Sequence, residues 1–262
     1  MAKTILITGS TDGIGLATAK RLLSEGHQVL LHGRNESKLQ AVAAELATIG
    51  KLDAFCADLS DIDATRALVA AVRDKYSSLD VLINNAGIFS TPRPLNAAGL
   101  DVRFVVNTFA PIIITEGLLD ALTPTGRVVN LSSAAQAPVD LDALVGRKAL
   151  SDNAAYAQSK LALTMWNRLL AKQLGAQGPV IVAVNPASFL GSKMVKDAYG
   201  VAGNDISIGV DILHRAALSE EFAQATGRYF DNDIGHFAQP YPDALDDTKC
   251  EALMATIKPL LG

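Results

Sequence analysis

The sequence predicts an α/β fold in three layers, with helices on both faces of a doubly wound, mostly parallel sheet of seven strands. Three observations predict it. Short apolar, β-branched runs alternate with longer segments of helical period through the 262 residues. The runs are hydrophobic almost without interruption, which is typical of strands covered on both faces. A glycine-rich stretch, TGSTDGIG, directly follows the first run.

Taken in order, the strand-like runs are 4–9, 28–33, 52–57, 81–86, 127–133, 180–186 and 227–231. The helix-like segments are 14–25, 36–49, 61–77, 101–122 and 153–174, with a further helix starting near Asp205 and a closing helix near 243–260. No linker rich in Pro, Ser or charge divides the chain, and no segment repeats at the period of a solenoid. We therefore expect residues 1–262 to form one domain.

Composition argues against several classes of function. The net charge is −4 and Lys and Arg form no block, so we expect neither nucleic acid nor an anionic membrane as a partner. Cys56 and Cys250 are far apart, and the four histidines lack the spacing of metal ligands. We therefore expect neither a disulfide framework nor a metal site.

The chain begins without the charged and then apolar pattern of a signal peptide. Its longest apolar stretch, 104–122, is interrupted by Asn107, Pro111, Glu116 and Asp120, and is too polar to span a bilayer. We expect a cytoplasmic protein.

The glycine-rich stretch predicts a turn between the first strand and the first helix. Gly9, Gly13 and Gly15 permit positive φ angles and a close approach of the backbone to a ligand. The free N–H groups of the following helix terminus suit a pyrophosphate. The spacing is G-xxx-G-x-G rather than G-x-G-xx-G, so a tight turn without a ligand is the alternative.

Further motifs follow in order: NNAG at 84–87, Asn107, NLSSAA at 130–135, YAQSK at 156–160 and NP at 185–186. Together with TGSTDGIG, they resemble the short-chain dehydrogenase/reductase family over essentially the whole chain. The resemblance implies a Rossmann-type fold whose first strand begins almost at residue one. Ser133 and Tyr156 are 23 positions apart. This long spacer, SKLAL after the tyrosine and GRYF near the end resemble the branch of retinol dehydrogenases and protochlorophyllide reductases.

Tyr156 and Lys160 are predicted to share one helix face because they are four residues apart. A nearby ammonium group favours the phenolate and brings the tyrosine pKa toward the working range. The resemblance implies that Tyr156 is the acid/base, that Lys160 lowers its pKa and holds the nicotinamide ribose, and that Ser133 positions the substrate oxygen. Ser132 is the second candidate, with a structural role favoured.

Asn107 lies inside an apolar helix-like run, where a buried amide needs hydrogen-bond partners. The resemblance implies that it holds a water in a proton relay to the active-site lysine. The alternative is an asparagine that only packs, bonded to a neighbouring carbonyl group.

The resemblance also implies a nicotinamide dinucleotide. Gly33 stands where many NAD-dependent members have an acidic residue, and Arg34 follows it, which favours NADP over NAD, the alternative. Asp12 departs from the pattern of some NADP-dependent members, which have a basic residue at this position before the second glycine. The expected cofactor-binding residues are Gly9, Ser10, Thr11, Asp12, Gly13, Ile14, Gly15, Arg34, Asn35, Asp58, Leu59, Asn85, Ala86, Gly87, Tyr156, Lys160, Pro186, Ser188 and Ser192. Ser188 and Ser192 are alternatives for contact with the nicotinamide, because PASFLGS departs from the family's PG-x-x-x-T.

Two segments are candidates for the substrate side. Segment 138–153 mixes apolar residues with charges, and either lines a pocket or is a surface excursion that covers its own apolar residues. Segment 188–208, with three glycines, is expected to form a second, mobile wall.

The expected function is an NADP(H)-dependent oxidoreductase that interconverts an alcohol and a carbonyl compound. The alternatives are an NAD-dependent dehydrogenase, a C=C reductase, or a nucleotide-sensing protein without activity. The resemblance implies a homodimer or homotetramer with a small-molecule substrate.

Overall fold

The central feature of the computed structural model, which describes residues 1–175, 178–191, 195–196 and 200–262, is one eight-stranded sheet. The strands are β1 (Thr4–Ile7), β2 (Gln28–Gly33), β3 (Leu52–Cys56), β4 (Leu79–Asn84), β5 (Leu122–Leu131), β6 (Val180–Asn185), β7 (Tyr229–Asp231) and β8 (His236–Ala238). They lie in the order β3-β2-β1-β4-β5-β6-β7-β8. The order reverses direction at β1, next to β4, which is the point where doubly wound sheets bind ligands.

The seven strands β1 to β7 pair in parallel, which confirms the predicted mostly parallel sheet. The eighth strand is an addition to the expectation. It pairs antiparallel with β7 and forms the edge of the sheet, with Phe230 opposite Phe237. The turn between β7 and β8 includes Gly235 at φ 73°, and brings residues 232–235 beside the end of β6.

The helices are α1 (Gly13–Ser24), α2 (Glu36–Leu46), α3 (Ile62–Lys75), α4 (Val102–Phe104 continued by Val105–Phe109 and Ala110–Leu118), α5 (Leu141–Leu144), α6 (Asp152–Leu174), α7 (Ile206–Leu218) and α8 (Asp247–Leu261). Each of these begins where the sequence supplies an Asp, Asn or Ser whose side chain accepts a backbone N–H of the first turn.

The core lies on both faces of the sheet. Neighbouring residues of one strand point to opposite faces, so Leu6 belongs to the apolar cluster that includes residues of α3, α4, α6 and α8, whereas Ile7 belongs to the cluster that includes residues of α1, α2 and α7. The two apolar clusters are the two outer interfaces of the predicted three layers.

Helix α4 contains a wider turn of π type at Val105–Phe109. Pro111 has no N–H to donate to the carbonyl of residue 107, four positions earlier, which favours this wider pattern. The expectation that this stretch is too polar to span a bilayer is wrong by length and composition, because residues 102–121 have a mean hydropathy of 1.5 and are long and apolar enough to cross a membrane. Because 78% of that stretch is buried inside the fold, core packing accounts for its apolar character.

Candidate active site

Lys160 is the buried centre of the site. It is 4% exposed, and its Nζ donates to the carbonyl oxygen of Leu131, at the end of β5, over 2.6 Å. Burial lowers the pKa of Lys160 to about 8, because an ammonium group is less stable away from water. The Tyr156 ring lies one helical turn earlier, with its centroid 5.6 Å from this nitrogen. The predicted i, i+4 pair therefore shares one face of α6.

The Tyr156 ring is half-buried and packs against Phe89, with the ring centroids 5.1 Å apart. Phe89 belongs to the loop after β4, and Ser90 ties this loop to α6 by donating to Asp152 over 2.7 Å. Asp152 also pairs with the buried Arg103 of α4. The loop that carries Phe89 is thus held beside Tyr156 by Asp152, in the first turn of the same helix α6.

Asn107 lies in the π segment and is buried. Its Oδ1 accepts from the Ile88 N–H at 2.8 Å, and its Nδ2 donates to the Ile88 carbonyl oxygen at 2.9 Å and to Ser159 Oγ at 3.0 Å. A β-carbon on Gly87 would stand 3.4 Å from Asn107 Oδ1 and 3.5 Å from Lys160 Nζ. The amide therefore makes the carbonyl bond expected of a packing role, and its Oδ1 faces the same glycine as Lys160 Nζ.

The two serines that follow β5 have different surroundings. Ser132 is buried, and its Oγ lies 2.7 Å from Thr164 Oγ1, which supports its structural role. Ser133 is half-buried, and its Oγ accepts from the Ala135 N–H at 3.1 Å. A hydroxyl oxygen that accepts one bond can still donate its own proton to a substrate oxygen.

The backbone carbonyl of Ser133 is also held. Tyr229 of β7 donates its hydroxyl to this oxygen over 3.0 Å, and Gln136 Nε2 donates to it over 2.9 Å. Burial raises the pKa of the Tyr229 phenol, so the phenol remains a donor at ordinary pH. The motif GRYF (227–230) signals this residue in the sequence, but the pattern does not disclose its contact.

The glycine-rich turn has the conformation that its composition predicts. Gly9 and Gly13 adopt φ angles of 66° and 53°, and a β-carbon on Gly15 would overlap the carbonyl oxygen of Gly9 and the amide of Asn85. Ile14 and Gly15 lie in the first turn of α1, where N–H groups have no carbonyl partner within the helix. The turn and helix terminus therefore fit a dinucleotide pyrophosphate.

Two side chains, Asn85 and His32, hold the same turn by hydrogen bonds to its backbone. Asn85 Nδ2 donates to the carbonyl oxygens of Thr8 at 2.8 Å and Gly9 at 3.1 Å. His32 Nδ1 accepts from the Gly9 N–H at 3.0 Å, and its Nε2 donates to the Ala57 carbonyl oxygen at 3.1 Å. Burial lowers the pKa of His32 to about 4, so the ring is neutral and its two nitrogens keep these roles.

Other residues at or beside the turn make hydrogen bonds and packing contacts within the protein. Ser10 is buried and exchanges hydrogen bonds with the backbone of His32. A β-carbon on Gly33 would lie 2.5 Å from Thr11 Cγ2, so a larger residue at the end of β2 would displace the Thr11 side chain. Ala86 donates its N–H to Thr8 Oγ1 at 3.0 Å.

Two basic residues, Arg34 and Lys38, follow the end of β2 in the chain. Arg34 is exposed there, and Asn35 caps α2 by accepting from the Lys38 N–H at 2.8 Å. Lys38 Nζ lies 2.6 Å from Asp12 Oδ2, across from the glycine turn. Lys38 was missed in the sequence, although its position in the first turn after HGRN is the signal that could have revealed it.

Asp58 and Leu59 follow β3. Asp58 Oδ1 accepts from the N–H and the hydroxyl of Ser60, at 3.0 Å and 2.8 Å, and Leu59 is 4% exposed. These bonds fix the Asp58 carboxylate at the same edge of the sheet as the end of β2.

The loop after β6 begins with Pro186. Ser188 donates its hydroxyl to Asp233 Oδ2 at 2.6 Å. Ser192, the other candidate for contact with the nicotinamide, lies outside the described residues.

A family model described as short chain dehydrogenase matches residues 3–200. The chain belongs to the short-chain dehydrogenase family. It is thus a member of an oxidoreductase family whose cofactor is a nicotinamide dinucleotide, and its Rossmann-type fold matches the expectation from the sequence.

Relatives of this short-chain dehydrogenase support the predicted branch. Human polyprenol dehydrogenase is 36% identical over 68% of this chain, a match that spans 57% of the human protein. Human retinol dehydrogenase 13 is 28% identical over 99% of this chain and 85% of its own. Mouse retinol dehydrogenase 12 is 31% identical over 87% of this chain and 77% of its own.

Solved structures share the fold of this short-chain dehydrogenase. A protein from Mycobacterium paratuberculosis superposes with a TM-score of 0.83 at 27% identity, covering 99% of this chain and 93% of its own. A short-chain dehydrogenase from Burkholderia cenocepacia, solved in complex with NADP, superposes with a TM-score of 0.69 at 26% identity, covering 88% and 95%.

Two cavities of the protein adjoin Tyr229. One of about 240 Å³ lies beside the Ser133 strand end, between Gln136, Asp231 and residues 239–241. The other, of about 270 Å³, lies on the far side of Tyr229, between α6 and β8. Neither is lined by segment 138–153 or by the described part of segment 188–208. Gln239 and Pro240 line both cavities and Tyr241 lines the one beside Ser133, and the sequence did not indicate this wall.

Segment 138–153 is partly a core element of the dehydrogenase. Its helix α5 buries Ala143 and Leu144, and Asp140 donates its N–H to Gln158 Oε1 over 3.0 Å. Leu141 on the same helix remains 39% exposed. The segment therefore covers part of the core and leaves the large apolar side chain of Leu141 exposed.

Proposed function

We propose that the protein is an NADP(H)-dependent oxidoreductase that interconverts an alcohol and a carbonyl compound. One observation carries the proposal: the buried Lys160 ammonium lies 5.6 Å from the centre of the half-buried Tyr156 ring, next to the strand end that carries Ser133. A cation at this distance stabilises a phenolate, which a tyrosine needs to exchange protons near neutral pH.

Each side chain then has one role. The bound dinucleotide would supply the hydride for reduction or accept it in oxidation. Tyr156 would donate its hydroxyl proton to the substrate oxygen during reduction and take it back during oxidation. Ser133 would hold that oxygen by a hydrogen bond and stabilise its developing negative charge. Lys160 would hold the nicotinamide ribose and, with Asn107, return the proton from solvent.

Arg34 and Lys38 support NADP over NAD. Arg34 is exposed at the end of β2, and a guanidinium group pairs well with a phosphate. Lys38 neutralises Asp12, the one carboxylate of the glycine turn, by an ion pair of 2.6 Å. A 2′-phosphate would therefore meet two cations and a carboxylate that already has a partner. Structural relatives solved with NADP support the same choice.

We propose an apolar alcohol, or the matching carbonyl compound, as the substrate. The relatives are named for polyprenol and retinol. Phe89 packs on the Tyr156 ring, and Phe189, in the loop after β6, is 52% exposed. These aromatic side chains suit an apolar substrate better than a charged one.

The test is turnover by the purified protein with NADPH or NADH against a panel of aldehydes, ketones and conjugated enones, and with NADP⁺ against alcohols. We expect NADPH-dependent reduction of apolar carbonyl compounds at the C=O group. Product analysis of the enones separates carbonyl from C=C reduction. Tight NADPH binding without turnover on any member of the panel would favour a nucleotide-sensing protein, and equal use of NADH would contradict the cofactor proposal.

A further inference from the structure

A carboxylate outside the proposed catalytic set holds the loop that follows β6. Asp233 lies in the turn between β7 and β8. Its Oδ1 accepts from the Ser188 N–H at 2.7 Å, and its Oδ2 accepts from the Ser188 hydroxyl at 2.6 Å and from Asn185 Nδ2 at 2.9 Å. Burial opposes the charged form, but these hydrogen bonds prevail and hold the pKa of Asp233 below its ordinary value. The residue is therefore an ionised acceptor at neutral pH.

The residues on either side of Ser188 have a strained backbone. Ala187 has a φ of 116° and Phe189 a φ of 53°, in the left-handed half of conformational space that residues with a β-carbon rarely adopt. Such conformations persist only when surrounding contacts impose them. The three hydrogen bonds to Asp233 act at Ser188 and at Asn185, close to both strained positions.

Two asparagines also donate hydrogen bonds to the backbone of the same loop. Asn204 donates its N–H to the Phe189 carbonyl oxygen at 2.6 Å and its Nδ2 to the Ser188 carbonyl oxygen at 3.1 Å. Asn232 donates Nδ2 to the Pro186 carbonyl oxygen at 3.1 Å. Asn204, Asn232 and Asp233 thus all hold the loop by hydrogen bonds, and Asp233 is the charged residue of the three.

This loop lies at the reactive edge of the sheet. It follows the carboxyl end of β6, and β6 is the direct neighbour of β5, whose end carries Ser133. The two strand ends are joined where the Ser132 N–H donates to the Val184 carbonyl oxygen over 2.9 Å. Ligands of open parallel sheets bind at this edge. A change in the loop therefore alters the surface beside the proposed hydride transfer.

We propose that Asp233 is a positioning residue, which holds residues 186–189 in the strained conformation that fits the nicotinamide half of the cofactor. The proposal rests on the proposed function for the identity of that cofactor. The proposal gives the Ser188 hydroxyl proton a partner within the protein, so the role it assigns to Ser188 is to bind Asp233.

The experiment compares two probes on the full chain. NADPH contains the nicotinamide ring, whereas 2′-phospho-ADP-ribose contains the rest of the cofactor and lacks that ring. We expect Asp233→Asn to weaken NADPH binding roughly tenfold or more, because it removes charge-assisted hydrogen bonds, and to leave 2′-phospho-ADP-ribose within about twofold of the wild type. The exposed Asp74→Asn on α3 is the matched control and should change neither affinity.

Two further variants test the route of the effect. Ser188→Ala should weaken NADPH binding less than Asp233→Asn, and the double variant should be no weaker than Asp233→Asn alone, because both changes remove the same contact. Ala187→Gly should restore much of the NADPH affinity of Asp233→Asn, because glycine adopts a positive φ without strain. If Asp233→Asn fails to fold, Ser188→Ala decides the question with the same two probes.

The outcomes separate the two proposals. Wild-type protein that binds neither probe overturns the proposed function. Wild-type protein that binds both, together with an Asp233→Asn variant of unchanged NADPH affinity, overturns the positioning role alone. Equal weakening of both probes also overturns it, because that result indicates general damage to the fold.

Discussion

The Nζ of Lys160 lies 2.6 Å from the carbonyl oxygen of Leu131. The contact joins the middle of α6 to the last residue of β5, and Ser132 and Ser133 follow directly. Lys160 is therefore fixed with respect to the strand end as well as to Tyr156 on its own helix. The geometry places a charge between the end of β5 and the Tyr156 ring, at the cost of burying an ammonium group.

That cost predicts a pH dependence of stability. The pKa of Lys160 is lowered from 10.5 in the unfolded chain to about 8 in the fold. Between these pH values the unfolded chain binds a proton that the folded protein does not, so the free energy of unfolding should rise with pH. The rise should not exceed about 3 kcal/mol. Urea unfolding of the apoprotein at about pH 8 and about pH 10 measures it.

Lys160→Met is the control for this rise, because methionine has a similar length and does not titrate. The variant should show a flatter dependence of the unfolding free energy on pH than the wild type. Parallel pH dependences in the two proteins would mean that other groups cause the rise.

Tyr156→Phe should nearly abolish turnover and leave NADPH affinity within a few-fold. Phenylalanine keeps the ring that packs 5.1 Å from Phe89, and only the hydroxyl is lost. Acid–base help of this type contributes about 10²–10⁴ in rate. Single-turnover kinetics and fluorescence titration with NADPH give the two quantities, and near-normal turnover would remove Tyr156 from its proposed role.

Arg34→Ala should raise the Michaelis constant for NADPH far more than that for NADH. A charge-assisted hydrogen bond contributes roughly 1.5–3 kcal/mol, and only NADPH carries the 2′-phosphate. Lys38→Ala should act in the same direction, because it also releases Asp12 from its ion pair of 2.6 Å. Steady-state kinetics with both cofactors test this, and equal effects on NADH and NADPH would contradict a contact with the phosphate.

Most of the fold could be predicted because its signals are local. The β-branched runs and the helical apolar period specify seven strands and the long helices from residues that are close in sequence. The eighth strand escaped because His236–Ala238 has only three residues, all partly or fully exposed. The π segment of α4 was not predicted, although Pro111, which favours it, stands in the sequence.

The candidate site likewise combines features that are local in sequence with contacts between residues far apart in sequence. The glycine turn and the Tyr156–Lys160 pair are short patterns, and the structure places them as expected. The contacts that hold the site are long-range: Ser188 meets Asp233 across 45 positions, and Ser133 meets Tyr229 across 96. No periodicity links such residues, because the sheet order alone brings β5, β6 and β7 together.

Tyr229→Phe should lower the turnover rate about three- to tenfold with little change in NADPH affinity. The change removes one hydrogen bond to the Ser133 carbonyl oxygen, and such a bond contributes about 0.5–1.5 kcal/mol. Gln136 still donates to the same oxygen at 2.9 Å, so the loss should be partial. Adding Gln136→Ala should lower the rate further.

The measurement for Tyr229→Phe is the turnover rate at saturating NADPH, alongside the NADPH dissociation constant and the melting temperature. An unchanged rate in the single and double variants would show that the strand end holds Ser133 without these donors. A loss of NADPH affinity equal to the loss of rate would indicate damage to the cofactor site.

The last prediction concerns helix α5, where two leucines of one turn have opposite environments. Leu144 is 0% exposed and packs in the core cluster with Leu100 and Phe104, whereas Leu141 is 39% exposed. Leu144→Ala should lower the free energy of unfolding by about 2–5 kcal/mol, because it removes buried methyl groups and leaves a cavity. Leu141→Ala should change it by less than about 0.5 kcal/mol.

Any effect of segment 138–153 on substrate choice should then appear in Leu141→Ala, as an altered ranking of apolar carbonyl compounds with NADPH affinity unchanged. Urea unfolding and the substrate panel together test both parts. Equal stability of the two variants would show that the segment does not support the core, and an unchanged ranking in Leu141→Ala would leave the wall formed by residues 239–241 beside Ser133 as the place where substrates are distinguished.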